Sequence, residues 1–225
     1  MASSHALIFF MKAPRPGTVK TRLQPQLTPV QSRALYMALA EDLLAHFRAH
    51  RGSDSFIYYT PPDGEAEMRE WLGSDLNYVP QQGADLGEKM HRAFTDIFDR
   101  GYRKAALAGS DIPLLQPRDI TTAFDLLDDH DAVFGPSEDG GYYLVALKAP
   151  QETLFRDITW STGTVYRETC RKAVQAGLSL GEVERRWDLD TITEVRRLWA
   201  LLNDPEMAGH AQALPRTRQV LAEIF

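Results

Sequence analysis

Two kinds of side chain in this sequence could together handle a polyphosphate. Lys12, Arg15, Lys20 and Arg22 crowd a short stretch, MKAPRPGTVKTRL, that leaves an apolar run and turns at Gly17. Lysine offers phosphate a compact point charge, and arginine can grip it bidentately. Farther along, carboxylates follow apolar runs: Asp111 in LAGSDIPLL, Glu138 and Asp139 in GPSEDGGYYLVAL, Asp188 and Asp190 in WDLDTITE. Carboxylate oxygens suit a hard divalent ion, and magnesium uses one or two of them, filling its sphere with phosphate oxygens and water. The pattern predicts Mg²⁺ (or Mn²⁺) bridging a polyphosphate, with Asp111 and Asp190 as the leading pair of ligands. Asp188 and Asp190 alternate on a short extended segment, so both face one way.

The elements that must position these groups are legible as alternating runs. Strands are expected at Ala6–Met11, Ser55–Thr60, Leu76–Val79, Lys104–Gly109, Asp131–Pro136 and Tyr142–Leu147. Between them the spacing predicts helices. Pro29 to His50 puts Leu35, Leu39, Leu43 and Phe47 on one stripe, with Thr28 as cap and Pro29 at the first position. Asp85–Arg100 repeats the pattern with Leu86, Met90, Ala93 and Ile97 or Phe98. Further helices are expected at Pro117–Asp128, Thr162–Ala176, Thr191–Leu202 and Thr217–Ile224, with Thr191 and Glu194 forming a capping box. Such alternation means an α/β fold with a mostly parallel sheet. Only SEDGG separates the fifth and sixth strands, too little for a crossover helix, so the sheet is expected to be mixed there. In open α/β sheets ligands sit at the carboxyl ends of strands, and the charged clusters fall at such ends.

Composition narrows the class. The chain has 225 residues, 31 Asp and Glu against 25 Lys and Arg, and a net charge of -6. That length suits a single domain, read here as residues 1–225. The acidic balance without a basic stripe argues against nucleic-acid binding. No apolar run approaches the ~20 residues of a membrane helix, and Ala6–Met11 is too short for a signal-peptide core. One cysteine, Cys170, allows no internal disulfide, and a cytoplasmic protein is expected. GTVKT lacks the second glycine of a Walker A loop, and no G-x-G-x-x-G occurs.

Taken in order, MKAPRPGTVKTRL, GADLGEKM, GSDIPLL, GPSEDGGYYLVAL, ITWST and WDLDT resemble a bacterial family of glycosyltransferase-A-type proteins, once grouped as a domain of unknown function. The family is similar, more distantly, to phospholactate and molybdenum-cofactor guanylyltransferases. The resemblance covers Leu7 to about Leu202, and it is the ordered set rather than any single motif that carries it. It implies a three-layer α/β/α nucleotide-diphospho-sugar transferase (GT-A) fold with a mixed, mostly parallel sheet. It carries phosphate-binding roles onto Lys20, Thr21 and Arg22, with Lys12 and Gly17 in the same loop. It places a metal on Asp111, beside Ser110, and a second metal carboxylate on Asp188 or Asp190. GADLGEKM, with Gly83, Leu86 and Gly87, is expected to line the nucleobase or acceptor side. Where sugar nucleotidyltransferases carry a glycine-rich loop, this chain has Gly17 alone before Thr21-Arg22-Leu23, which leaves the donor open between an NTP and an NDP-sugar.

Three functions follow from these readings. The first is a Mg²⁺-dependent nucleotidyltransferase, in which a small anionic acceptor attacks the α-phosphorus of an NTP and pyrophosphate leaves. Here Lys12, Lys20 and Arg22 neutralise charge, and the work is positioning and electrostatics. The second is a glycosyltransferase using an NDP-sugar, with Glu138 or Asp139 as base. The third is a nucleotide-binding protein without turnover. Trp160 is expected in the core, Ser161 or Thr162 as a helix cap, one of Tyr142 and Tyr143 in the core with the other on the pocket, and His46 with His50 as helix-end residues rather than ligands.

Overall fold

The computed structural model describes residues 4–49 and 52–225; His50 lies outside them. In chain order the elements are β1 His5–Lys12, α1 Pro29–Ala49, β2 Asp54–Thr60, α2 Glu65–Leu72, β3 Asn77–Pro80, α3 Leu86–Asp99, β4 Lys104–Gly109 and α4 Pro117–Leu126. They continue with β5 Ala132–Pro136, β6 Tyr142–Leu147, α5 Val165–Gln175, β7 Leu180–Glu182, α6 Ile192–Leu202, α7 Ala208–Ala213 and α8 Pro215–Ile224. The described strands form a seven-stranded sheet in the order β3-β2-β1-β4-β6-β5-β7. Only β6 runs against its neighbours β4 and β5, and the remaining pairs are parallel. The expected mixed sheet is therefore present, and the short link between β5 and β6 is its cause.

Side-chain alternation along β1 shows how the two faces are built. Leu7, Phe9 and Met11 pack on one side with α1, α4, α6 and α8, while Ala6 and Ile8 pack on the other with α3, α5 and the 152–155 turn. The stripe Leu35, Leu39, Leu43 and Phe47 is buried in the first layer, as its spacing predicts. Thr28 and Gln31 cap α1 reciprocally, the Gln31 N–H reaching Thr28 Oγ1 at 3.2 Å and the Thr28 N–H reaching Gln31 Oε1 at 3.0 Å. In α3, Met90, Ala93 and Ile97 are buried, Phe98 packs at the margin, and Leu86 is 44% exposed, so Leu86 leaves the stripe.

Other departures have local causes. The helix α2 has no counterpart among the expected elements: it is only eight residues long, and its apolar face is limited to buried Met68 with Trp71 and Leu72 packed at the core margin. The edge strand β7 is three residues long and centred on Gly181. α5 starts at Val165, three residues later than expected: Thr164 occupies the cap position, Ser161 has φ of 64°, and Thr162 donates to the Thr159 carbonyl. The capping box of Thr191 with Glu194 is present at α6.

Candidate active site

At the carboxyl ends of β1 and β4 the chain leaves a cavity of about 780 Å³. Its walls come from the β1 loop, the segment after β3, the β4 exit, the link between β5 and β6, the 160–163 turn and the segment before α6.

The loop after β1 is tied down before its cations are aimed. The Tyr36 hydroxyl from α1 accepts from the Lys12 N–H at 2.8 Å and donates to the Lys12 carbonyl at 3.0 Å. Val19 and Leu23 are buried beneath the loop. Between them Lys20 adopts φ 48° and ψ 44°, the left-handed region that a lysine rarely visits, and such outliers gather at functional sites. Its ammonium, only 5% exposed, lies 3.1 Å from Asp111 Oδ2 and 3.1 Å from Asp190 Oδ1. Arg22, largely in solvent, reaches Asp190 Oδ2 at 3.1 Å. Lys12 lines the cavity without a carboxylate within ion-pair distance among the described residues.

Arg15 does not join this set. Its guanidinium is spent on Glu67 of α2, through Nε to Oε2 and Nη2 to Oε1, both at 2.8 Å. Three of the four cations in the opening loop therefore face the cavity. The fourth is diverted because α2, unseen in the sequence, brings a carboxylate beside it.

The carboxylates converge through backbone pairing. Ser137 forms a parallel bridge with Arg186, and the Leu189 N–H donates to the Asp111 carbonyl at 2.9 Å. Leu189 is buried, so Asp188 and Asp190 both turn toward the cavity. Gly109 leaves room for the first carboxylate, since a Cβ there would stand 2.7 Å from Asp111 Oδ1. Burial pushes the Asp111 carboxyl up, but the Lys20 ammonium beside it outweighs this and holds it below the usual range. Burial likewise pulls Lys20 down, and Asp111 and Asp190 more than restore it. Among the described residues, Asp188 has no such cation. Burial and the neighbouring Asp111 and Asp139 push it up to about 7, against the opposing pull of the Ser137 hydroxyl donating to it at 2.9 Å.

In the link between β5 and β6, the two acidic neighbours part. Asp139 lines the cavity and accepts from the Gly141 N–H at 2.9 Å. Glu138 turns outward to Arg197, at 2.7 and 3.0 Å, so it is not placed to act as a base.

Of the remaining expected residues, Thr21, Leu86 and Ser110 line the cavity. Gly17, Gly83 and Gly87 are not among its walls. Gly17 makes a turn at φ +82° in open space. A Cβ on Gly83 would stand 2.7 Å from the Lys89 nitrogen, and one on Gly87 would stand 2.3 Å from the Phe155 carbonyl, so close packing explains both glycines. Tyr142 and Tyr143 both reach the cavity while packing into opposite cores. Trp160, expected in the core, forms part of the wall and packs edge-on against Tyr142. Gln81 and Lys89 also line the cavity and carried no sequence signal, since a lone amide after a strand and a lysine in a helix are both commonplace. His46 adds nothing to the site, and Cys170 is a half-buried free thiol.

No three His, Cys, Asp or Glu side chains among the described residues stand together as a ready metal cage. Magnesium does not require one, because it takes one or two carboxylates and completes its sphere with phosphate and water. The donor set suits such an ion: Asp111, Asp188 and Asp190 offer hard oxygens, and a cation, the Lys20 ammonium, already sits between two of them.

The geometry can be set beside known proteins. A family model described as "Uncharacterized protein conserved in bacteria (DUF2064)" matches residues 43–162, over half of the chain. A crystal structure from Desulfovibrio desulfuricans G20, provisionally named a nucleotide-diphospho-sugar transferase, is 31% identical, with TM-score 0.88 over 99% of this chain and 98% of that one. The phosphoenolpyruvate guanylyltransferase of Sphaerobacter thermophilus is 24% identical over 201 residues, 88% of this chain and 90% of the relative. A nucleotidyl transferase from Methanothermobacter thermautotrophicus, 16% identical with TM-score 0.58 over 86% of this chain and 95% of that one, shares the fold alone.

Proposed function

The chain belongs to the DUF2064 family and is a transferase of the nucleotidyl or nucleotide-sugar type, and from its site we propose that it transfers a nucleotidyl group from an NTP to a small anionic acceptor. The observation that carries this reading is the meeting of three cations, Lys12, Lys20 and Arg22, with three carboxylates, Asp111, Asp188 and Asp190, at one end of the sheet. A polyphosphate is the ligand that needs both kinds of charge.

In this reading an acceptor oxygen forms a bond to the α-phosphorus while the bond from that phosphorus to the bridging oxygen breaks, and pyrophosphate leaves with the electron pair. Lys12 and Arg22 neutralise the phosphate chain from the β1 loop, and Lys20 joins them. Asp111, with Asp190 or Asp188, would hold Mg²⁺ or Mn²⁺, which when bound supplies positive charge against the phosphates. Leu86 and Trp160 give the cavity an apolar wall on which the nucleoside would pack. No covalent intermediate on the protein is required.

The name of the Sphaerobacter relative makes GTP and phosphoenolpyruvate the first pair to assay. The expected outcome is one pyrophosphate released per product formed, dependent on Mg²⁺ and lost in Asp111→Asn. A second reading, glycosyl transfer, draws on Asp139, a carboxylate on the cavity wall that could take a proton from an acceptor hydroxyl. Release of a nucleoside diphosphate from an NDP-sugar, with no pyrophosphate from any NTP, would replace the first reading by the second.

A further inference from the structure

The Lys20 ammonium cannot serve a phosphate chain from where it lies. It is buried against two carboxylates, at 3.1 Å from each, on a backbone held in the left-handed region. A divalent ion held by Asp111 and Asp190 would compete with the ammonium for the same two carboxylates. Resting on the nucleotidyl-transfer reading, we propose that Lys20 is a built-in counter-cation: it occupies the metal seat until a phosphate chain draws its ammonium away, so that metal and nucleotide enter as a coupled pair.

Asp111, Asp188, Asp190 and Asp139 share one end of the cavity, and without a cation among them they would repel one another. Among the described cations, Lys20 is placed to relieve this. Arg22 is 66% exposed and, among the described residues, pairs with Asp190 alone, while Lys12 pairs with no described carboxylate. The side chain is also suited to moving. A lysine ends in a compact ammonium on a flexible four-carbon stem, whereas an arginine holds its partners in a rigid fork.

Departure has a condition. A buried ammonium taken from its carboxylates and left alone is strongly disfavoured, and so are the carboxylates it leaves. A polyphosphate with its divalent ion answers both needs together, since the phosphate receives the lysine and the metal receives the aspartates. Metal alone satisfies only one side. The affinity of free metal is therefore reduced by the fraction of molecules in which the seat is open, and nucleotide restores it. By linkage, metal raises nucleotide affinity by the same factor.

The test is a Mn²⁺ titration followed by electron paramagnetic resonance on the full chain, with no nucleotide present. Wild type is compared with Lys20→Met, Lys20→Gly and Arg22→Met, and Asp111→Asn is added to each Lys20 variant. Lys20→Gly also suits the left-handed backbone, so it keeps the test usable if Lys20→Met folds poorly. Both Lys20 variants are expected to bind Mn²⁺ at least ~10-fold more tightly than wild type, as a seat closed in nine molecules of ten would require, and Asp111→Asn should remove that gain. Arg22→Met takes the same charge from Asp190 without opening the seat, so its gain should be much smaller. Unchanged or weaker Mn²⁺ binding in the Lys20 variants would overturn the proposal. An equal gain in Arg22→Met would also overturn it, because general electrostatics would then suffice. The titration needs neither nucleotide nor acceptor, so failure of the transfer reading shows separately, as absent pyrophosphate release.

Discussion

Arg186 and Asp119 form the most enclosed ion pair near the site, with Nε to Oδ2 at 2.9 Å, Nη2 to Oδ1 at 2.8 Å and both side chains 5% exposed. Asp119 also accepts from the Gln116 N–H at 2.8 Å, and so joins the start of α4 to the strand-like segment that carries Asp188. Arg186→Met would leave that carboxylate buried without its cation. We expect a loss of roughly 3–5 kcal/mol, measured by urea denaturation; a loss under ~1 kcal/mol would show that water reaches the pair. Neighbours in the opening loop should separate in function. Arg22→Met should raise the KM for nucleotide in the pyrophosphate-release assay, while Arg15→Met, whose partner is Glu67, should leave it unchanged. The loop sequence marks both as cations near a strand exit. It cannot rank them, because an arginine side chain is long enough to choose among several carboxylates and tertiary placement decides which one is near.

Among the elements, the link between β5 and β6 is tightly constrained. Gly140 has φ of +89°, and a Cβ there would stand 2.2 Å from the Gly163 carbonyl oxygen. The link therefore packs directly on the turn that follows Trp160. Gly140→Ala should destabilise the fold by more than about 1 kcal/mol, and displacement of the 160–163 turn should weaken nucleotide binding in a thermal-shift titration. Glycine in that link is legible as a turn residue, but the contact with Gly163 is not, since it joins distant segments. The edge strand β7 depends on an anchor just ahead of β5. Asp131 accepts from the Ser179 N–H at 2.9 Å and its hydroxyl at 2.8 Å, which hold the carboxyl below its usual value of 3.8. A carboxyl whose folded value is depressed stabilises the fold above its unfolded value, and that support disappears as pH falls through the folded value. Asp131→Asn should therefore lower stability at about pH 6, with the difference from wild type closing toward about pH 2. A difference independent of pH would point to lost packing instead. β7 itself was invisible in the sequence because three residues around a glycine carry no alternating pattern.

At the scale of the whole molecule, the C-terminal helices close one face of the sheet against α1. The cap of α8 comes from a residue 175 positions earlier: Asp42 accepts from the Thr217 N–H and hydroxyl, both at 2.8 Å, and is 1% exposed. Asp42→Ala should cost about 1–3 kcal/mol in urea denaturation, and protection of the α8 amides from hydrogen exchange should fall before that of β1. The elements α2, β7 and α7 were not legible in the sequence alone. The order of β1 to β6, the helices α1, α3, α4, α5, α6 and α8, the mixed sheet, the Thr28 cap of α1 and the capping box of α6 were, because alternation, helical periodicity, capping and a five-residue link act between near neighbours. The position of Asp111 at a strand exit was legible for the same reason. Tertiary structure alone decided that Lys20 rests between Asp111 and Asp190, 91 and 170 residues away, that Glu138 and Arg15 face other partners, and that Gln81, Lys89 and Trp160 complete the cavity. The physical reason is the range of the forces involved: secondary structure is settled by local sterics and hydrogen bonds, whereas a charged side chain takes whichever opposite charge the packed sheet brings within reach.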